Sequence, residues 1–308
     1  MRFNPICILV AAVLSLTTVS ATAQSQQTAT VSMRPYKDTR AVVAVKLNGA
    51  GPYDFLVDTG ANVTVLDAGL FAELGLKAEG ATKQTTSAGV NTISLATVDE
   101  VAVEGLTVRG VKVIASKNLP GVRGILGENF LQHFDILIDN QRREITLDAG
   151  SRLAGSFDGE RLAIDFGAHA VGTELGGRPT VSVSVPAYGA HPVKLLLDSG
   201  ADRVTLTGSG TMQPKTSGNV YMVSTVNGSM TCTSGENRLD WGKTSMRGLT
   251  LLTCESAAAR AQDGLLPTAI FKQIFISHAG SYAIVNPAKR KAGQEIAAAD
   301  PLIAKGLR

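Results

Sequence analysis

Two aspartates stand in the same local setting in opposite halves of this 308-residue chain. Phe55-Leu56-Val57-Asp58-Thr59-Gly60-Ala61 returns as Leu195-Leu196-Leu197-Asp198-Ser199-Gly200-Ala201, at an offset of 198 − 58 = 140 residues. A carboxylate at the end of an apolar strand is costly unless something satisfies it. The following Thr or Ser offers a hydroxyl, and Gly lets the backbone turn tightly and approach the acid. One such loop leaves a satisfied acid, whereas two brought face to face leave two acids competing to ionise. Like charges about 3 Å apart do not both form cheaply, so such a pair shares one proton and titrates as a unit. The ionised member can take a proton from a water that attacks a carbonyl. The protonated member polarises that carbonyl, and the proton then reaches the leaving nitrogen. That chemistry calls for no metal, no cofactor and no covalent acyl intermediate.

The elements that would position the two acids repeat as well. Ala41–Leu47 before Asn48-Gly49, and Thr180–Val185 before Pro186–Gly189, read as first strands of hairpins leading into each aspartate. Downstream, Gly124-Ile125-Leu126-Gly127 is matched by Gly264-Leu265-Leu266-Pro267, and the spacing from the acid is conserved between halves, 127 − 58 = 69 and 267 − 198 = 69. Each half closes on a further hairpin, Phe134–Asp139 with Glu144–Leu147 and Phe275-Ile276 with Tyr282–Val285. Helical periodicity is brief, around Ala68–Leu76, Glu128–His133 and Thr268–Gln273. The organisation expected is a lobe over 24–149, a Gly/Ser-rich linker over 150–160, a second lobe over 161–290 and a polar tail over 291–308.

With both loops and the later apolar-apolar-Gly motif in view, the chain resembles the aspartic peptidases of the pepsin and retropepsin type across nearly all of residues 40–287. The resemblance implies a mainly β fold of two similar closed β-barrel lobes with few short helices, related by a pseudo-twofold axis, and a substrate cleft between them. It implies catalytic roles for Asp58 and Asp198, with Thr59 and Ser199 interlocking beneath them and Gly60, Ala61, Gly200 and Ala201 completing the loops. Short lobes and Ala at 61 and 201 resemble a fused pair of retropepsin units more than pepsin. A hydroxyl at those two positions would lower the acids' pKa; Ala does not, so activity is expected to extend toward mildly acidic or neutral pH. Flap hairpins are expected at Ser87–Leu95, with Ala88, Gly89 at the tip and Val90, and at Val223–Cys232, turning on Asn227-Gly228. Pro267, where the first half has Gly127, fixes φ and removes an N–H, so the second loop is expected to be built differently.

The function that follows is an aspartic endopeptidase acting on a polypeptide or peptide substrate, the alternative being an exported peptide-binding module with little turnover. A single chain carrying both acids is expected in preference to a homodimer. His133, His169, His191 and His278 lack ligand spacing and are read as surface or structural. No dinucleotide fingerprint, phosphate loop or Gly-x-Ser-x-Gly elbow is present. A net charge of +3 with 18% charged residues gives no concentrated basic patch, which argues against nucleic acid as a partner. Arg2, the apolar run from Ile6 to Leu16 and Ala21-Thr22-Ala23 read as a signal peptide over 1–23. Export to the periplasm or medium is thus expected, with no stable membrane span after cleavage. Cys232 and Cys254 would remain, either paired in that oxidising setting or as two small buried hydrophobes.

Overall fold

The structure, a computed structural model, describes residues 28–36, 40–86, 89–117, 119, 121–167, 176–208, 220–225, 228–255 and 262–289. The signal-peptide pattern, Ala88, Asn227 and the polar tail lie outside them. Of the Val90 side chain nothing is described.

Alternation along the first strand shows how the barrels are made. In Arg40–Leu47 the side chains of Val43, Val45 and Leu47 are buried while Lys46 is exposed. This strand pairs antiparallel with Ala50–Val57, which runs parallel beside Gly124–Leu126 and so ends at Asp58. The ring continues through Thr64–Asp67, Leu106–Ser116 and Gly89–Val103. It closes where Lys46 and Leu47 meet Ala102 and Val101, giving a six-stranded barrel.

The second lobe repeats the path. Thr180–Val183 pairs with Val193–Asp198, which runs parallel beside Gly264–Pro267; Val204–Gly208, Thr244–Glu255 and Gly228–Trp241 follow. Two backbone hydrogen bonds of 2.8 Å between Ser184 and Asp240 return the ring to its first strand. The fold is mainly β, as the sequence implies.

A separate six-stranded antiparallel sheet unites the halves, in the order Thr28–Ser32, Glu144–Asp148, Asp135–Asp139, Gln273–Ser277, Tyr282–Val285 and Leu162–Ala163. Its central pairing, Ile136–Asp139 with Gln273–Ile276, comes from the two closing hairpins. One continuous apolar cluster runs through this sheet into both barrels, taking in Phe55 and Leu126 on one side and Leu195 and Leu266 on the other. Residues 150–160 contribute a 3-10 turn at Leu153–Gly155 and a short strand, Phe157–Asp158, paired with Ala288–Lys289.

The helical expectations are trimmed by the sheet. Helices occupy Ala68–Glu73 and Glu128–Leu131, but the segment expected as helix at Thr268–Gln273 is a 3-10 turn over Thr268–Ile270, and Gln273 already belongs to the interlobe sheet. Pairing of Gln273–Ser277 into the interlobe sheet overrides the local period.

Cys232 and Cys254 form a disulfide between directly opposed residues of neighbouring strands. It ties the Val220–Thr225/Gly228–Trp241 hairpin to the strand beneath. The bridge closes a loop of 22 residues. By the chain-entropy relation it stabilises by about 3 kcal/mol. Thermal melts of the Cys232→Ser/Cys254→Ser variant should show a lower Tm than the oxidised protein; equal melting temperatures would contradict the assignment.

Candidate active site

Each aspartate is delivered by a strand whose end is held by the parallel pair. The Asp58 amide donates to the Leu126 carbonyl at 3.1 Å, and on the other side Asp198 lies opposite Pro267. The turns that follow satisfy the acids locally. Asp58 Oδ1 accepts from the Gly60 amide at 2.8 Å, and Asp198 Oδ1 accepts from the amides of Gly200 at 2.7 Å and Ala201 at 2.9 Å.

Beneath the acids the two loops are knitted to each other. The Thr59 hydroxyl donates to the Leu197 carbonyl at 2.7 Å and accepts from the Ser199 amide at 3.0 Å. The Ser199 hydroxyl does the reciprocal, donating to the Val57 carbonyl at 2.9 Å and accepting from the Thr59 amide at 3.0 Å. This exchange brings residues 140 positions apart into contact and reproduces the sequence repeat as a spatial pseudo-twofold.

The loops also cross. A Cβ on Gly60 would lie 2.6 Å from the Asp198 carboxyl, and one on Gly200 would lie 2.5 Å from that of Asp58. Only glycine leaves room there, so each turn makes space for the opposite acid. The crossing sets the two carboxyls beside each other. Burial pushes Asp198 well above the usual carboxylate range, the neighbouring Asp58 charge pushes the same way, and the Gly200 and Ala201 amides offset only part of it. Two acids so placed favour holding one proton between them.

Residues 43–130 match the aspartyl protease family. The matched stretch takes in Asp58 and supports a protease role. The chain is also similar to a solved structure, the crystal structure of a retropepsin-like aspartic protease from Rickettsia conorii. The two are 21% identical with a TM-score of 0.31, over 39% of this chain and 90% of that one. A comparison with curated protein sequences returned no match.

Several neighbours of the two acid-bearing loops are not marked by any motif in the sequence. Asn129 Oδ1 accepts from both the amide and the hydroxyl of Thr64 at 2.9 and 2.8 Å, and its Nδ2 donates to the Lys112 carbonyl. Thr64 in turn accepts from the Gly127 amide at 3.2 Å. The second lobe has Val204 and Pro267 at the matching places, where hydroxyl and amide are both missing, so its loop is indeed built differently. Arg178 is half-buried and donates to Gln262 at 3.1 Å; burial lowers its pKa, and the charges of Asp198 and Asp58 raise it. His278, expected on the surface or in a structural role, is buried against Glu128. His191 is exposed, and His169 lies outside the described residues.

The two hairpins expected as flaps pair in equivalent ways. Thr86 pairs with Gly89, so Gly89 belongs to the return strand. Likewise Thr225 pairs with Gly228, which begins the second return strand. Both placements follow from cross-strand register, which turn propensity alone does not fix. No group of three or more His, Cys, Asp or Glu residues able to hold a metal occurs among the described residues, and none of their helices is long and apolar enough to cross a membrane.

The perturbed acids bear on stability. Asp198 and Glu128 are raised mainly by burial; His278 is pulled down by burial but raised on balance by Glu128 and by the Phe134 carbonyl. A raised pKa means the folded protein holds a proton that the unfolded chain has released, so each group's contribution is complete below its unfolded pKa and is lost as pH rises through the folded value. All three act in one direction. These three groups should therefore pull the melting temperature down from the acid carboxyl range upward past the ordinary histidine value, against the opposite pull of Glu73 and Glu79, whose acids are lowered, and Asp198→Asn should remove part of that downward pull. An unchanged pH dependence of Tm in Asp198→Asn would refute the assignment.

Proposed function

We propose that the protein is an aspartic endopeptidase in which one chain supplies both acids, and the reading rests on the crossed loops that set Asp58 beside Asp198. Two acids sharing one proton fit both halves of the reaction. The ionised carboxylate accepts a proton from a water molecule, whose oxygen attacks the scissile carbonyl. The protonated carboxyl donates a hydrogen bond to the carbonyl oxygen as it becomes tetrahedral, and a proton then passes to the departing amine nitrogen. Thr59 and Ser199 keep the loops in register, and Gly60 and Gly200 let the carboxyls approach. The N-terminal pattern of Arg2, Ile6–Leu16 and Ala21-Thr22-Ala23 supports an exported protein, periplasmic or secreted.

The test is incubation of the purified protein with unfolded polypeptide and with a peptide library across pH 3 to 8. Cleavage between varied residues, suppressed by a peptide carrying a hydroxyl in place of the scissile carbonyl, is the expected result. Saturable binding without cleavage at every pH would reject turnover and leave a peptide-binding module.

A further inference from the structure

Behind the first acid lies a carboxyl–imidazole pair that the hydrolytic cycle does not use. Glu128 opens the short helix after the Ile125-Leu126-Gly127 motif and is 0% exposed. His278 follows the Gln273–Ser277 strand of the interlobe sheet, and its side chain is 6% exposed. Their Nε2 and Oε2 atoms are 2.9 Å apart across 150 residues of sequence. The Glu128 amide donates to the Ala61 carbonyl at 2.7 Å, and the Ala61 amide donates to the Asp58 carbonyl at 3.2 Å. Two hydrogen bonds therefore lead from this pair to the backbone of the first catalytic loop.

Hydrogen-bond bookkeeping fixes the protons. His278 Nδ1 lies 2.6 Å from the Phe134 carbonyl, which can only accept, so Nδ1 carries a hydrogen. A single further proton must then lie between Nε2 and Oε2, as imidazolium with carboxylate or as imidazole with carboxylic acid. Glu128 Oε1 is buried with no hydrogen-bond partner, so loss of that proton would leave an uncompensated buried charge. The arrangement is one-sided. At the 140-residue offset Glu128 corresponds to Thr268, a buried neutral residue whose carbonyl accepts from Asn140.

We propose that Glu128 and His278 are a positioning pair for Asp58, fastening the first catalytic loop to the interlobe sheet and making the two acids electrostatically unequal. The inference rests on the reading of Asp58 and Asp198 as the hydrolytic pair. Burial raises Glu128, His278 draws it down, and the Asp58 charge raises it; because that last interaction is mutual, an ionised Glu128 opposes ionisation of Asp58. The other acid facing the pair is Asp135, from the Asp135–Asp139 strand, whose charge raises His278. The Phe166 ring, 4.9 Å from that of His278, packs against it. With its proton the pair is neutral overall; once the proton is lost at higher pH, a net negative charge stands behind Asp58.

The experiment compares wild type, Glu128→Gln and His278→Gln by steady-state kinetics against pH and by carbon-13 NMR titration of the aspartate carboxyls. In Glu128→Gln the titration of the acid pair should move to lower pH, and kcat should fall roughly 2- to 30-fold with KM little changed. His278→Gln should move the acid pair the same way, because a buried Glu128 without its counter-charge holds its own proton and presents no charge to Asp58. A pair that only fills space would lower Tm in both variants and leave the carboxyl titrations and the shape of the kcat profile where they were; that outcome overturns the proposal. Should Glu128→Gln fail to fold, the sign of the shift in His278→Gln decides alone. If the wild type cleaves nothing, the peptidase reading fails, while the NMR titrations still decide whether the pair acts on Asp58.

Discussion

Asp58→Asn and Asp198→Asn should each abolish peptide cleavage while leaving a folded protein. The amide keeps the size and the acceptor oxygen of the carboxyl, so the Gly60 amide at 2.8 Å and the Gly200 amide at 2.7 Å retain a partner. What disappears is the exchangeable proton. Without it a single acid must either accept the proton of water or hold one against the carbonyl, and the cycle needs both. Proper general acid–base catalysis contributes on the order of 10²–10⁴-fold. Loss of one acid also removes the shared-proton state, so the decline should sit at or beyond the upper end of that range. Both single variants should fall alike, and mixing them should restore nothing, since each chain needs its own two acids. Recovery of activity on mixing would mean that the working site forms between chains. Asp198→Asn should in addition melt no lower than wild type above the carboxyl range, because it removes a buried acid that resists ionisation.

Thr59→Val should cost more stability than any conservative surface substitution. Valine matches threonine in shape, but it deprives the Leu197 carbonyl of its donor and the Ser199 amide of its acceptor, both buried. Each unsatisfied buried group costs about 1–3 kcal/mol, so the pair of losses comes to roughly 2–6 kcal/mol. At roughly 2–4 °C per kcal/mol for a chain of this size, a fall in Tm of some ten degrees is a fair central value. Ser199→Ala makes the same two losses from the other side, at the Val57 carbonyl and the Thr59 amide. The double variant should be less destabilised than the sum of the singles, since the four bonds share one interlock. Strictly additive losses in calorimetry would show that the two hydroxyls act independently.

Much of this architecture is legible in the sequence. The repeat of Asp-Thr-Gly-Ala as Asp-Ser-Gly-Ala, with a second landmark in the same register, implied two like halves, and alternating Val residues at 43 and 45 implied their strands. Short-range signals fared worse where tertiary partners had the deciding role. Thr268–Gln273 carries a helical period, yet Gln273 is drawn into a sheet by Asp139 on the opposite hairpin. Gly228 has the composition of a turn residue, yet its pairing with Thr225 makes it part of the return strand. Glu128 gave no motif at all, being one carboxyl in an apolar run, and His278 showed no ligand spacing because its partner lies 150 residues away.

By itself the sequence determined the chemical vocabulary: two acids in matched loops, a hydroxyl after each, a glycine after that, and strands to carry them. Periodicity and motif composition are local properties, written in neighbouring residues. Tertiary structure alone decided that the Gly60 turn leaves space for Asp198 and the Gly200 turn for Asp58, that Cys232 meets Cys254, and that Glu128 stands behind only one of the two acids. These are relations between segments distant in the chain, set by barrel closure and by the sheet that joins the lobes, and a pKa depends on that burial and those neighbours.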